Sequence, residues 1–347
     1  MKLNPEMHLL DIESPARTKS ADRLCPHLNC EAIYSTIKKA ATRNGFGAAL
    51  VEIGEKDKNV VALSSDVAGS VQIQMFADKF PDRFFQVGVA EQNLAGVAAG
   101  LAYTGKIAFI GAFAVFSPGR NWEQIRTTAC YAKANVKIEG SHTGLDVGED
   151  GATHQALEDI AIMRSLPNMT IVSPCDYEET KKAVYAAWKT PGPFYIRCTR
   201  NAVPTFTTDK TPFEIGKMNL LCEGNDIAVI AHGRTVCEAV LAANALSKEG
   251  INISVANMHT LSHIDDSALE KLARKCGKII TVEDHQVKGG LGSAVCESLC
   301  NTYPVKVKRM GMEMKFGETG KGPELIKKYG LDKDGIMKVV KEEIASK

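Results

Sequence analysis

Apolar runs of strand length alternate with helix-like segments along most of this 347-residue chain, and this alternation limits the fold more than any other feature. Between residues 37 and 200, each strand-like run is followed by a segment in which apolar residues recur at helical spacing. Strands and helices that alternate in this order form a mostly parallel, doubly wound sheet. The sequence therefore predicts the α/β fold class.

The alternation stops and then restarts, which predicts two domains of unequal size. We predict a first domain over residues 37–204, a linker over 205–224 and a second, smaller α/β domain over 225–347. Residues 1–36 are predicted to form an arm, because prolines interrupt them and no apolar period persists. Two domains also agree with the usual domain size of about 100–200 residues.

Charge and composition argue against several classes of partner. The formal net charge is +1, from 42 basic and 41 acidic residues, so we expect neither nucleic acid nor an anionic membrane as a partner. No apolar run approaches the ~20 residues of a membrane span. The first residues have no apolar core of signal-peptide length, so we expect a cytoplasmic protein with free thiols. Cys25, His27 and Cys30 resemble half of a metal site, but no second pair completes it, and we predict no metal ligands in this chain.

Residues 83–102 combine a predicted buried strand, residues 84–89, with a helix of small residues, and one acid, Glu91, lies between them. An acid in the first turn of a helix stabilises it by about 0.3–1 kcal/mol through the helix dipole. The alternative is a carboxylate in an apolar cleft, where it could share a proton with a ligand nitrogen. Because Gly96 and Gly100 each cost a helix about 0.5–1 kcal/mol relative to alanine, we expect this helix to pack closely, against another subunit for example.

Polar and aromatic residues follow the predicted strands of the first domain, at the end where open α/β sheets bind ligands. One arginine lies just upstream, on the first predicted helix. The set is Arg43, Asp66, Ser70, Glu91, Phe113, Phe116, His142, Asp150, His154 and Arg200. The sequence has no dinucleotide fingerprint, P-loop or serine nucleophile elbow. The set suits an aromatic-walled cofactor pocket with acid–base groups above it and basic groups at its mouth.

Three segments closely resemble transketolase: RFFQVGVAEQNLAGVAAGLA at residues 83–102, GEDGATHQALEDIAIMRSLPNMTIVSP at 148–174 and VEDHQVKGGLGSAV at 282–295. The resemblance begins near residue 37 and covers the pyrimidine-binding and C-terminal domains of that family. The diphosphate-binding third of a full-length transketolase, with its Gly-Asp-Gly metal motif, has no counterpart. The resemblance therefore implies the C-terminal subunit of a split transketolase, whose missing third is a separate polypeptide.

The resemblance implies a cofactor role for four residues. Glu91 would hydrogen-bond N1′ of the thiamine aminopyrimidine and share a proton with it. Phe113 and Phe116 would pack on the pyrimidine ring, although core packing stays open for each of them. Asp66 would lie beside the cofactor, or would cap a helix.

The resemblance also implies a substrate site. His142 and His154 would bind the hydroxyls of the donor sugar and move protons during C–C cleavage, and Asp150 would read the configuration of a hydroxyl. Arginine presents a planar fork suited to phosphate, and a serine hydroxyl can add to it. The implied phosphate-binding residues are Arg43, Ser70 and Arg200.

The expected activity is transfer of a two-carbon ketol unit from a ketose phosphate to an aldose phosphate, as in the pentose phosphate pathway. The resemblance implies thiamine diphosphate as cofactor and Mg²⁺ or Ca²⁺ bound by ligands of the partner. The expected partners are the N-terminal diphosphate-binding subunit, a second copy of this chain, giving a dimer or an α2β2 heterotetramer, and sugar phosphates.

Two features depart from the family pattern, and a third has two possible interpretations. Residues 118–120, Pro-Gly-Arg, stand where an aromatic is often found, and Thr143 replaces an acid. The glycines of residues 289–293 suggest a phosphate loop or, as we favour, a tight turn before a helix in a domain that serves assembly.

Three alternative functions stay open. A deoxyxylulose-phosphate synthase would need its diphosphate-binding half in the same chain. The β subunit of a 2-oxoacid dehydrogenase would not need the paired histidines or the phosphate arginines. A non-catalytic scaffold would be expected to lack Glu91 or the histidines, and the sequence retains both.

Overall fold

The computed structural model describes residues 38–346. The predicted arm and the Cys25–His27–Cys30 motif lie outside the described residues. None of the helices among residues 38–346 is long and apolar enough to cross a membrane.

The first domain is built on a six-stranded sheet. Its strands, with those of a small two-stranded sheet, are β1 Lys39–Ala40, β2 Val60–Ser64, β3 Phe84–Gln86, β4 Ile107–Phe113, β5 Val136–Ser141, β6 Thr170–Val172, β7 Phe194–Arg197 and β8 Val203–Pro204. The large sheet has the order β3-β2-β4-β5-β7-β6, and every pairing in it is parallel. Every strand of this sheet therefore ends at the same edge, as the α/β prediction requires.

Helices cover both faces of this sheet. They are α1 Thr42–Lys56, α2 Gln74–Lys79, α3 Glu91–Tyr103, α4 Trp122–Gln124, α5 Asp159–Arg164 and α6 Tyr177–Lys189. A π-helix, Ile125–Tyr131, continues α4, and 3₁₀ segments form at Pro81–Arg83 and Leu145–Asp150. One face buries Phe46, Phe76 and Val184, and the other buries Leu94 and Ile138. The doubly wound arrangement is confirmed.

The second domain is a five-stranded sheet with helices. Its strands are β9 Asn219–Cys222, β10 Ala228–Ala231, β11 Ser254–Asn257, β12 Lys278–Gln286 and β13 Lys306–Met312. Its helices are α7 Thr235–Lys248, α8 Asp266–Cys276, α9 Leu291–Asn301, α10 Gly322–Lys328 and α11 Lys333–Ala345. The order is β13-β12-β10-β11-β9, with β9 antiparallel to β11. Ile230 and Met258 of this domain join the apolar cluster that contains Met163, so the two domains share a core.

Three sequence-based expectations need correction. The sequence predicts the first helix over residues 37–53, but it begins at Thr42, because β1 pairs antiparallel with β8 and Ala41 is extended. The predicted buried strand over residues 84–89 is only β3, an edge strand that pairs with β2 and leaves Phe85 38% exposed. The predicted linker, residues 205–224, contains β9, which forms where residues 219–222 pair with β11 at the rim of the second sheet. The domain boundaries themselves stay predictions.

Candidate active site

Glu91 is the first residue of α3 and lies at the carboxyl edge of the first sheet. Its side chain is only 5% exposed, so it is not a solvated surface acid. The Asn121 side-chain amide donates to the Glu91 carbonyl oxygen at 3.0 Å, and Arg120 Nη1 lies 3.3 Å from Glu91 Oε2. The carboxylate is therefore held in a buried position with one oxygen facing a half-exposed arginine.

Two phenylalanines and two histidines come together beside this edge. The Phe113 and Phe116 rings stack with centroids 6.1 Å apart, and the His142 ring stacks on Phe113 at 4.0 Å. The His154 ring meets Phe116 edge-on at 5.5 Å. Both phenylalanines are half-buried, so their faces are not fully used by the core of this chain. The Arg120 guanidinium carbon lies 4.1 Å from the Phe116 ring centre. Arg120 belongs to the Pro-Gly-Arg segment, residues 118–120, which stands in the sequence where the family often has an aromatic.

The His142 ring is buried and neutral. Arg43 Nη1 lies 3.2 Å from His142 Nε2, and an arginine can only donate, so Nε2 accepts this hydrogen bond. The ring proton is then on Nδ1, which donates to Ser141 Oγ at 3.0 Å. Burial, and after it the charges of Arg43, Arg200 and His154, lower the pKa of His142 to about 3.

The three residues expected to bind phosphate occupy one side of the site. Arg43 Nη1 donates to the carbonyl oxygen of Ser70 at 2.6 Å, so Ser70 positions the arginine through its backbone while its side chain stays exposed. Arg200 Nη1 donates to the Val147 carbonyl at 2.5 Å and lies 3.5 Å from Asp150 Oδ2. Two arginines and an acid thus lie near the histidine pair, in the arrangement expected at a pocket mouth.

Asp66 is placed differently from the other candidates. It is exposed in the turn after β2, at φ 66°, and its backbone N–H donates to Gln86 Oε1 at 2.7 Å. The next helix, α2, has Ile73 at its N-cap position, so Asp66 does not cap it. This leaves the other expectation, a position beside the cofactor, as a prediction.

Glu139 was missed by sequence reasoning, although it lies at the centre of β5 beneath the site. It is completely buried, and the charge of Arg43 and the Ser141 hydroxyl are the neighbours that stabilise its ionised form. Burial raises the pKa of Glu139 well above its ordinary value, and the nearby Arg43 opposes this shift. Residues 136–141 read Val-Lys-Ile-Glu-Gly-Ser, an alternation typical of a half-exposed strand, so the sequence carries no local signal of this burial.

The glycine-rich segment has a clear outcome, whereas the Cys25–His27–Cys30 motif lies outside the described residues. No group of three or more His, Cys, Asp or Glu side chains in the described part of the chain could hold a metal ion. The amides of Leu291 and Gly292, at the start of α9, donate to the Glu283 carboxylate at 2.7 and 2.9 Å. Because a side chain of the protein already occupies this helix N-terminus, the structure supports a tight turn over a phosphate loop.

Comparison with known families identifies both domains. Residues 38–205 match the family model described as transketolase, pyrimidine binding domain, and residues 216–336 match that of the transketolase C-terminal domain. The chain belongs to the transketolase family. The family resemblance and the fold class predicted from sequence are both confirmed.

The similar proteins include separate transketolase subunits. A putative transketolase C-terminal section from Methanocaldococcus jannaschii is 45% identical over 305 residues, which cover 87% of this chain and 96% of that protein. One subunit of the apulose-4-phosphate transketolase from Phocaeicola vulgatus is 40% identical, covering 87% and 97%. A solved split-gene transketolase, described as an inactive beta4 tetramer, is 43% identical with a TM-score of 0.82, covering 88% and 98%. The chain is therefore a transketolase subunit of the split type.

Proposed function

We propose that this transketolase subunit, together with a separate diphosphate-binding subunit, moves a two-carbon ketol unit from a ketose phosphate to an aldose phosphate. The observation that carries the proposal is the convergence of a buried acid, two stacked phenylalanines and two histidines at one sheet edge. A scaffold subunit would have no reason to keep a buried carboxylate beside half-exposed aromatic rings.

The residues present fit the pyrimidine of thiamine diphosphate. Glu91 offers a carboxylate that is 5% exposed, suited to sharing a proton with a ring nitrogen, and Phe113 and Phe116 offer half-buried rings for stacking. When bound, the cofactor supplies the nucleophilic carbon and the electron sink that C–C cleavage requires. The divalent metal, Mg²⁺ or Ca²⁺, would be held by the partner subunit together with the diphosphate.

His142 would bind the substrate, and His154 would exchange a proton with it. Because the pKa of His142 is lowered to about 3, its ring is neutral at physiological pH and Nε2 keeps a lone pair. That lone pair accepts a hydrogen bond from Arg43 Nη1, and a sugar hydroxyl would take the place of this donor. His154 meets both phenylalanine rings edge-on, where it would exchange a proton with the oxygen released during cleavage. Asp150 would orient a further hydroxyl.

The basic side of the site would bind the phosphate of the sugar. Arg43 and Arg200 are both close enough to His142 to lower its pKa, so a phosphate between them would lie near the histidine. Ser70 would support this site by fixing Arg43. Pentose phosphates are the proposed substrates; the relative named for apulose 4-phosphate favours a specialised sugar phosphate as the second candidate.

We propose an α2β2 assembly in which α3 faces another subunit. A Cβ added at Gly96 or Gly100 would meet none of the described residues, and Val89, just before the helix, is 70% exposed. An apolar, small-residue surface of this kind is costly in water and suits close helix packing. The proposal is supported by the beta4 tetramer of the solved relative. The eight cysteines of the described residues are free thiols, which favours a reducing, cytoplasmic compartment.

The test is a ketol-transfer assay of this chain alone and with its partner subunit, over a screen of ketose-phosphate donors and aldose-phosphate acceptors. Activity should require both chains and thiamine diphosphate. Glu91→Gln should lower activity by on the order of 10²–10⁴-fold, the range of general acid–base catalysis, with assembly intact. Glu178→Gln, at an acid in the first turn of α6, is the matched control and should be fully active. Full activity of Glu91→Gln, or of the chain alone, would contradict the proposal.

A further inference from the structure

The loop of residues 142–155, named the histidine loop, carries His142, Asp150 and His154. Although several of its residues are polar, much of this loop is buried and residues 145–150 form a 3₁₀ segment. Its own domain holds its ends, for example through the Gly144 N–H, which donates to the Ala156 carbonyl at 2.9 Å. The second domain holds it at three further points.

The first point is Asp284, on β12. Asp284 Oδ1 accepts the N–H of Leu145 at 2.8 Å, and both residues are buried. Gly144 lies at φ 69° directly against this carboxylate, where an added Cβ would be 2.2 Å from Asp284 Oδ2. A side chain at residue 144 is thus excluded both by its backbone conformation and by the acid.

The second point is an ion pair between Arg234, which precedes α7, and Asp146 in the loop. Asp146 is completely buried and Arg234 nearly so, and removal of one partner from such a pair destabilises the fold because a buried charge then loses its counter-ion. The third point is the carbonyl of Glu318, which accepts Gln155 Nε2 at 3.0 Å. Contacts with the second domain therefore lie near both ends of the segment between the two histidines.

Asp284 is itself fixed from the first domain. Its carbonyl oxygen accepts Arg197 Nη2 at 2.8 Å, and Arg197 Nε lies 2.9 Å from Asp159 Oδ2 in a fully buried ion pair. Arg197 ends β7, the neighbour of the strand that leads into His142. The geometry therefore connects the sheet, the second domain and the histidine loop through one buried residue.

We propose that Asp284 and Arg234 are positioning residues for ketol transfer, which hold the histidine loop from the second domain. Neither would contact the substrate; each acts through Leu145 or Asp146. The inference rests on the proposed function of His142 and His154. It extends the role of the second domain beyond assembly, the only role that the sequence suggested for it.

The test compares Asp284→Ala and Asp284→Asn in the complex with the partner subunit. Asparagine keeps an oxygen that can accept the Leu145 N–H, whereas alanine leaves that amide buried and unpaired. Displacement of catalytic groups by about 1 Å can cost 10²-fold, so we expect kcat to fall by on the order of 10–100-fold for alanine. Asparagine should restore most of kcat, and the affinity for thiamine diphosphate should change less than about twofold in both variants.

The matched control is Glu283→Ala, at the neighbouring residue of β12. Glu283 is also a buried carboxylate that accepts backbone N–H groups, but its partners are Leu291 and Gly292 of its own domain. The control should unfold at a lower temperature and keep its kcat per folded molecule. An equal loss of kcat in Glu283→Ala and Asp284→Ala would overturn the proposal, because it would reduce the effect to general instability.

Amide hydrogen exchange gives a readout that needs no substrate. Exchange over residues 142–155 should rise in Asp284→Ala, while residues 91–103 of α3 keep their protection. Unchanged exchange in this loop would overturn the proposal. If the wild-type complex transfers no ketol unit, the proposed function fails. Faster amide exchange confined to residues 142–155 in Asp284→Ala would still show that Asp284 holds the histidine loop. Should Asp284→Ala not fold, Arg234→Lys against Arg234→Met gives the same comparison, because lysine keeps the charge facing Asp146.

Discussion

His142 is expected to stay neutral at any pH above about 3, because its pKa is lowered from 6.5 to about 3. Each tenfold change in proton affinity is worth about 1.4 kcal/mol, so the folded protein favours the neutral ring by about 5 kcal/mol relative to a solvated histidine. Burial is the largest cause, and the charge of Arg43 is the next. The fold thus keeps a lone pair on Nε2, which accepts a hydrogen bond from Arg43 Nη1, where a protonated histidine would have none.

The same shift makes stability depend on pH with a definite sign. Below pH 6.5 the unfolded chain binds a proton at His142 that the folded chain does not, until the pH reaches about 3. This residue therefore lowers the free energy of unfolding as the pH falls through that window. Between pH 7 and pH 5 the loss amounts to about 2 kcal/mol.

The assay is urea unfolding at a series of pH values for wild type and His142→Gln. The gap between the two unfolding free energies should change by about 2 kcal/mol from pH 7 to pH 5, in favour of the variant at acid pH. His263→Gln, at an exposed histidine, controls for the substitution itself. A gap that does not change with pH would refute the reasoning.

Direct titration of the ring by NMR separates the causes. Arg43→Met removes the second cause and should raise the pKa of His142, yet leave it below 6.5, because burial remains. A wild-type ring that protonates near pH 6.5 would contradict both the burial and the assigned tautomer.

Two further predictions concern α3 and β5. Gly100→Leu should leave the folded chain at least as stable, since an added Cβ meets none of the described residues and glycine costs a helix about 1 kcal/mol, but it should weaken self-association measured by light scattering. Unchanged association would argue against α3 as an interface. Glu139→Leu should raise the free energy of unfolding by about 1–3 kcal/mol, because the burial of this carboxyl outweighs the opposing effects of Arg43 and the Ser141 hydroxyl. A loss of stability in urea would mean that these two contacts outweigh the cost of burial.

Sequence alone predicted the elements whose signal is local. The sequence predicts a helix over residues 177–189, and α6 has these bounds, with Asp176 capping it by accepting the Glu179 N–H. The sequence also predicts a strand over residues 194–197, and β7, buried along its length, has these bounds. Strand β9 was missed because Asn219 and its neighbour are half-exposed and only pairing with β11 makes them a strand.

The same distinction between local signals and long-range contacts applies to the residues of the site. The approach of Phe113, His142 and His154 could be predicted, because parallel strands bring the residues that follow them to one edge. The contact between Leu145 and Asp284 could not, since it joins residues 139 positions apart through the packing of one domain on another. Nor could the burial of Glu139 be predicted, because nothing local distinguishes a buried glutamate from one at the surface.

The contacts of Asp284 and its neighbours with the first domain have a consequence for recombination between genes of this family. If the two domains were encoded by separate genes, Asp159 and Arg197 would remain paired, but Asp146 would face water without Arg234, and the apolar surface around Met163 would be bare. Each product would be prone to aggregation before it met the other. A hybrid that joins the first domain of one such subunit to the second domain of another should therefore be active only when the residues that contact each other across the domain boundary come from the same parent.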